Sequence, residues 1–167
     1  MPVQMPAQPT TRRRATNRWR LLLAGTVLLL ATTSDLVAKE LAETRLAGAP
    51  VTLGPLELRL GFNPGVAFSL GDDLPSWLIK SVTATMTTAL VLLLARSCRS
   101  AGPLERLGLA LLSGGALGNL IDRWVDRQVT DYFHTGWWPT FNLADVWICA
   151  GVALLVLGSV AVAPREP

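Results

Sequence analysis

The sequence predicts an all-α integral membrane protein: four transmembrane helices with a small extracytoplasmic β element and a short outer loop. Three observations carry that class. Half of the 167 residues are hydrophobic and only 16% are charged, against about 25% charged in an average soluble domain. Four apolar stretches approach or exceed the length a bilayer needs, about 20 residues per helix with about 17 tolerated. Five arginines, Arg12, Arg13, Arg14, Arg18 and Arg20, precede the first stretch with no acid among them. A basic flank beside an apolar run is a topology signal before it is a nucleic-acid patch. The net charge of +3 therefore implies no nucleic-acid partner. The length suits one domain. Cys98 and Cys149 are too few and too isolated for a disulfide framework or a cysteine metal site.

Residues 1–18 read as a basic cytoplasmic tail and residues 19–163 as one four-helix membrane domain. The first span covers residues 19–38, with an uninterrupted core from Leu21 to Thr33. Its arginines and leucines also suit a secretory signal. The nearest A-x-A triplet, Ala47-Gly48-Ala49, lies too far beyond the core, and three more apolar stretches follow. The segment reads as an uncleaved anchor. The connection after it is long. Within it Leu56, Leu58, Leu60 and Phe62 alternate with Glu57, Arg59 and Gly61, and Val51-Thr52-Leu53 precedes them across Gly54-Pro55. That period of two predicts a small β element against the membrane surface. The second span, residues 77–95, is broken only by Lys80. The third, residues 104–121, carries Gly108, Ala110, Ser113, Gly114, Gly115, Ala116 and Gly118. In water that makes a poor helix; in a membrane it lets helix backbones approach closely. The loop 122–145 holds Asp122, Asp126, Asp131 and Asp145, and Gly136 and Pro139 deny it a continuous helix. The fourth span covers residues 143–163, and residues 164–167 form a cytoplasmic tail.

Residues 1–20, 95–106 and 164–167 hold nine of the fifteen lysines and arginines. The positive-inside tendency puts both termini in the cytoplasm and the two longer loops outside. Ten of the twelve acidic residues then fall on the outer side or at its edge. The tryptophans, Trp19, Trp77, Trp124, Trp137, Trp138 and Trp147, stand at or just beyond segment ends, where amphipathic rings anchor at the headgroup level.

Carboxylates at a membrane edge are costly and tend to be functional. Asp35 and Lys39 are spaced i, i+4 at the outer end of the first span. Asn119, Asp122 and Arg123 share a face at the outer end of the third. Asn142 and Asp145 are spaced i, i+3 at the start of the fourth. Asp131 lies between the second and third clusters. Each feature has a plain structural reading: a helix-end ion pair, local charge balance, a helix N-terminal acid. Asn63-Pro64-Gly65 equally suits a simple turn. The joint occurrence at one depth points to a single polar site. Other chemistries fit less well. His134 is the only histidine, which excludes His-rich zinc sites. No G-x-S-x-G stands at a strand-to-helix turn, and no P-loop motif occurs. Two aspartates sharing one proton need neither metal nor cofactor.

Five stretches together resemble a known family: SDLVAK (34–39), FNPGVAFSL (62–70), GGALGNLIDR (114–123), VTDYF (129–133) and FNLADVWI (141–148). They are similar to the lipoprotein signal peptidases (signal peptidase II), four-helix bacterial membrane aspartic peptidases. These cleave prolipoproteins just before the diacylglyceryl-modified cysteine. The resemblance implies Asp131 and Asp145 as the catalytic pair. It implies Asn63, Asn119, Arg123 and Asn142 as polar residues around substrate and dyad, and Asp35 and Lys39 as the first-helix motif. Asp122 is the rival partner for Asp145, ranked lower because Arg123 beside it would hold it ionised or tie it up. Asp131, among Val129, Thr130, Tyr132 and Phe133, has the apolar setting that raises a carboxyl pKa. The implied partners are lipid-modified prolipoproteins and membrane lipids, with no cofactor, and the chain is expected to be a monomer in the bacterial cell membrane. Two departures stand out: a short loop carrying Gly136-Trp137-Trp138-Pro139, and Pro64 and Val66 after Asn63. The readings set beside this one are a small proton-coupled transporter and a noncatalytic membrane adaptor.

Overall fold

The computed structural model describes residues 11–64 and 74–162. The remainder of the FNPGVAFSL stretch, most of the basic tail and residues 164–167 lie outside the described residues. Four long helices and three short strands follow one another in the order α1 (Thr11–Arg45), β1 (Val51–Leu53), β2 (Leu56–Asn63), α2 (Ser76–Ser100), α3 (Pro103–Val125), β3 (Val129–His134), α4 (Leu143–Val162). Three of the helical stretches are long and apolar enough to cross a membrane: Arg18–Arg45, Ser76–Ser100 and Leu143–Ala161. α3 does not reach that standard, because glycines and polar residues dilute it. Aliphatic side chains on the other three helices face outward, among them Leu22, Leu30, Leu93, Val156 and Leu157. A contiguous apolar surface of this kind suits lipid and not water.

α1 is longer than the apolar run that predicts it. No helix breaker occurs between Ser34 and Arg45, so the helix continues past the last aliphatic residue. Its inward face reads Ala31, Thr32, Asp35, Lys39 and Ala42, all buried. Asp35 and Lys39 thus lie within the helix and not at its end.

α3 is the centre of the bundle and packs against all three other helices. Its glycines make this possible on the two faces toward α1 and α4. A Cβ at Gly108 would stand 2.8 Å from the Gly151 carbonyl oxygen of α4. One at Gly114 would stand 2.7 Å from the Leu28 carbonyl oxygen of α1. One at Gly115 would collide with the carbonyl of Ala144, and one at Gly118 with the carboxylate of Asp35. Close approach also permits a hydrogen bond between helix backbones and side chains. The Thr32 hydroxyl donates to the Gly114 carbonyl at 2.9 Å. Backbones in contact recover in dispersion and hydrogen bonding what apolar burial cannot supply in lipid.

The small β element expected after α1 gains a third strand. β1 and β2 pair antiparallel around Gly54-Pro55, with Gly54 at φ +64. β2 then pairs antiparallel with β3, a strand inside the loop that the sequence leaves irregular. The register sets Gly61 opposite Asp131 and Asn63 opposite Val129. β3 escapes the period-two criterion because Val129, Thr130, Asp131 and Tyr132 are all buried, so its two faces do not alternate in polarity. A further bridge between Phe133 and Phe141 closes the loop back onto α4. Trp19, Trp77, Trp124, Trp137 and Trp138 are exposed, as interface anchors should be. Trp147 differs: its Nε1 donates to Ser34 Oγ at 3.1 Å and ties α4 to α1.

Gly115→Ala is expected to lower stability by about 1–3 kcal/mol, the usual cost of overpacking. Gly25→Ala, where nothing lies within 4 Å, should cost nothing. Thermal unfolding of the two variants in the same detergent separates them.

Candidate active site

The site is built outward from one buried ammonium. Lys39 is 2% exposed. Its Nζ lies 2.9 Å from Asp35 Oδ2, 3.1 Å from Asp122 Oδ2 and 2.8 Å from Asn119 Oδ1. Three contacts match the three protons of an ammonium. Because Lys39 donates to the carbonyl end of Asn119, the amide end must face the other way. Asn119 Nδ2 donates to Asp145 Oδ1 at 3.0 Å. Asn142 Nδ2 in turn donates to Asn119 Oδ1 at 3.1 Å and to Asp131 Oδ1 at 2.7 Å. Asn63 adds a side-chain hydrogen bond to Asp131 from β2. One directed set of donors therefore links Lys39 to both Asp131 and Asp145.

The N-terminus of α4 is fixed by the same residues. Asn142 precedes the helix, and Asp145 is three residues on. The Asp145 N–H donates to Asn142 Oδ1 at 3.1 Å, and the Asn142 N–H donates to Asp145 Oδ2 at 3.2 Å. This is a capping box with aspartate in the acidic role. The Ala144 N–H donates to Asp35 Oδ1 at 2.8 Å, and the Leu143 N–H to the Tyr132 hydroxyl at 3.2 Å. The first donors of the helix thus all find side-chain partners. Asp145 is both a capping residue and a half-buried carboxylate facing Asp131, so its structural reading and its functional one coexist.

The four aspartates of the 122–145 loop divide sharply. Asp126 is exposed. Asp122 is tied up, as expected, but Lys39 does it and not Arg123. Asp122 Oδ2 also accepts the Thr130 N–H at 2.8 Å. Arg123 Nη1 donates to the Asn119 carbonyl at 3.3 Å, and its charge acts on Asp145, Asp131 and Asp122. Asp131 lies in the fields of Lys39 and Arg123, but the ion pairs of Lys39 go to Asp35 and Asp122. Burial, and then the charge of Asp145, push its carboxyl from 3.8 up to about 7, while Asn142, Lys39 and Asn63 oppose the rise. Two neighbouring carboxylates, one holding its proton near neutrality, have the chemistry that a general acid and base pair requires.

Two cavities meet at Asp145. One of about 260 Å³ has polar walls including Asn63, Asn119, Arg123 and Asn142. The other, about 640 Å³, runs down α4 between Trp137, Trp138, Val146 and Ala153 and is almost wholly apolar. Trp138, Phe141 and Cys149 line both. His134 stands apart, its Nδ1 3.1 Å from Arg59 at the sheet margin. Among the described residues no group of histidine, cysteine and carboxylate side chains has the arrangement of a metal site.

The sequence model of signal peptidase (SPase) II matches residues 27–161. The chain belongs to the signal peptidase II family. A lipoprotein signal peptidase of Rhodococcus jostii is 41% identical over 164 residues, spanning 91% of this chain and 76% of the relative. Its namesake in Aquifex aeolicus is 38% identical over 143 residues, 82% of this chain and 83% of the relative. Another, of Syntrophomonas wolfei, is 46% identical over 105 residues, 62% and 68% of the two chains. A solved structure described as a bacterial membrane enzyme superposes with a TM-score of 0.71 at 22% identity, covering 87% of this chain and 94% of that one. That likeness shows a shared fold.

Within this signal peptidase II fold, Asp35, Lys39, Asn63, Asn119, Asp122, Arg123, Asp131, Asn142 and Asp145 all join one cluster around the α4 N-terminus. Two further residues belong to it. Glu43 Oε1 accepts the Thr130 hydroxyl at 2.7 Å, and Tyr132, the chain's one tyrosine, caps α4. Glu43 follows Lys39 at i+4, a helical spacing that a first helix ending at residue 38 conceals.

Lys39→Met is expected to cost about 3–5 kcal/mol, since it strands two buried carboxylates; equilibrium unfolding measures this. The protonated Asp131 gives a second expectation. A carboxyl raised in the folded state contributes stability that is full below its ordinary value of 3.8 and is lost as pH rises through about 7. Melting temperatures from pH 4 to 8 should therefore decline more steeply in the parent than in Asp131→Asn.

Proposed function

We propose that this chain is a membrane aspartic endopeptidase that removes signal peptides from diacylglyceryl-modified prolipoproteins, cutting just before the lipidated cysteine. The observation that supports it most is the division of the buried carboxylates. Asp35 and Asp122 share the ammonium of Lys39 at ion-pair distance, whereas Asp131 and Asp145 accept amide donors and feel one another's charge within the fields of Lys39 and Arg123. Such a pair can share a proton.

In this reading Asp145 is the ionised member, stabilised by Asn119 Nδ2 and the Asn142 N–H. It takes a proton from a water molecule whose oxygen attacks the scissile carbonyl carbon. Protonated Asp131 hydrogen-bonds the carbonyl oxygen as negative charge develops there. Collapse of the tetrahedral intermediate breaks the C–N bond. The proton held by Asp145 passes to the leaving amine, which becomes the new N-terminus of the lipidated cysteine. Asn63 and Asn142 hold Asp131 in place, and Arg123 adds positive charge to the polar cavity.

The apolar cavity beside α4 suits the acyl chains, and the polar one the peptide. α1, α2 and α4 span the bilayer, and α3 is the fourth span, its polar content sheltered by its three neighbours. The membrane domain comprises residues 19–163, flanked by the basic tail and residues 164–167. Both termini are cytoplasmic, and the carboxylates lie at the extracytoplasmic face of the bacterial cell membrane. The chain acts as a monomer. Family membership gives no support to the transporter and adaptor readings.

In a gel-shift assay with lipidated prolipoprotein, Asp131→Asn and Asp145→Asn should each lose roughly 10²–10⁴-fold in rate, the worth of a positioned proton-transfer group. Full activity in either sinks the assignment. Loss in Asp122→Asn with retention in Asp131→Asn would move the pair to Asp122 and Asp145. The rate of the parent should fall as pH rises through about 7, where Asp131 loses its proton.

A further inference from the structure

A further cavity lies at the end of the bundle opposite the carboxylates. It holds about 180 Å³ and is walled by α1 and α3. Arg20, Leu23 and Val27 line it from α1, and Arg106, Leu107 and Ala110 from α3. On each helix the spacing is that of a single face. The arginines occupy the end nearer the helix N-termini, and the aliphatic residues the deeper part. The cavity is therefore an apolar slot with a cationic mouth.

Neither arginine forms an ion pair among the described residues. Arg106 Nη1 donates to the Ala101 carbonyl where α2 ends. This fixes the guanidinium at the mouth and leaves most of its five N–H donors unused. Arg20 is exposed, while its carbonyl lies 3.8 Å from the buried Cys98 sulfur, so its backbone is anchored to α2. Glu105 is the lone acid at this end of the described helices, and it does not line the slot. Among the described residues, no acid pairs with the slot's two arginines. The slot floor is part of the packed core, with Ala110 fully buried beside Leu94 and Leu109. The shape exists before any ligand arrives.

We infer that this groove binds an anionic phospholipid, its phosphate between Arg20 and Arg106 and one acyl chain along Leu23, Val27 and Leu107. Charge complementarity selects the occupant. A zwitterionic lipid offers the phosphate but brings its own cation to the mouth. Free phosphate offers the anion but nothing for the slot. Basic pockets between membrane helices on the cytoplasmic side have this use elsewhere. The positive-inside reading puts the groove in the inner leaflet, where anionic lipids meet it. The inference concerns binding alone and stands apart from the proposed cleavage.

The test is native mass spectrometry and thermal shift on the full chain in a neutral detergent, titrated with dioleoylphosphatidylglycerol. The parent should retain the lipid and gain in melting temperature. Dioleoylphosphatidylcholine and inorganic phosphate should give little of either effect. The Arg20→Gln, Arg106→Gln double variant should bind about 30-fold more weakly, from roughly one charge's worth of attraction at each site. Arg20→Gln alone, which leaves the Ala101 contact intact, should show part of that loss and guards against misfolding of the double variant. Arg99→Gln, outside the groove, should bind as the parent does. Equal weakening in Arg99→Gln would mean diffuse surface charge and overturn the site. Equal stabilisation by inorganic phosphate would mean a free-anion site and overturn the lipid. Undiminished lipid binding in Arg20→Gln and in the double variant would place the lipid elsewhere.

Discussion

The buried ammonium of Lys39 holds the rest of the structure to account. An ammonium removed from water costs several kcal/mol unless every proton is met. Here Asp35, Asp122 and Asn119 meet all three. Those partners come from α1 and α3, so the two helices can satisfy the charge only in one relative position. The requirement then propagates. Lys39 fixes which end of the Asn119 amide faces Asp145, and Asn119 fixes which end of the Asn142 amide faces Asp131. A neutral residue at position 39 would remove the donor that orients the Asn119 amide.

Packing makes that network reachable. Gly118 has no side chain where Asp35 lies, and Gly115 has none where the Ala144 carbonyl lies. α1, α3 and α4 therefore meet with backbones nearly in contact at the level of the carboxylates. Asp35 can then accept a hydrogen bond from the α4 N-terminus while it pairs with Lys39. The small residues of α3 are not merely lubricants of helix association. They set the height at which polar groups from three helices converge.

The same arrangement sorts carboxylates by role. Asp35 and Asp122 are paired with the one ammonium of Lys39. Asp131 and Asp145 are held by amide donors instead. The strand β3 effects the sorting, because it holds Thr130 against Asp122 and turns Asp131 toward Asn142 and Asn63. Asp35 and Asp122 thus serve as scaffolding around Lys39, which leaves Asp131 and Asp145 for the proposed chemistry.

Composition, apolar runs and arginine placement were enough to announce a helical membrane protein. The motif order was enough to announce the family, because these depend on local sequence alone. Seven of the nine polar site residues were legible as clusters at one depth, from i, i+3 or i+4 spacing at helix ends, while Asn63 and Asp131 entered through the family resemblance. What local sequence could not reveal was partnership. It paired Asp122 with its neighbour Arg123, whereas the fold gives Asp122 to Lys39, some eighty residues away. It ended the first helix where hydrophobicity ended and so passed over Glu43. It saw a loop where β3 forms, because that strand is buried on both faces and stabilised by pairing with a distant β2. Chemical type and local periodicity belong to the sequence. The choice of which carboxylates pair with Lys39 and which are held by amides belongs to the tertiary structure, since only contact between remote segments decides where a single buried charge is spent.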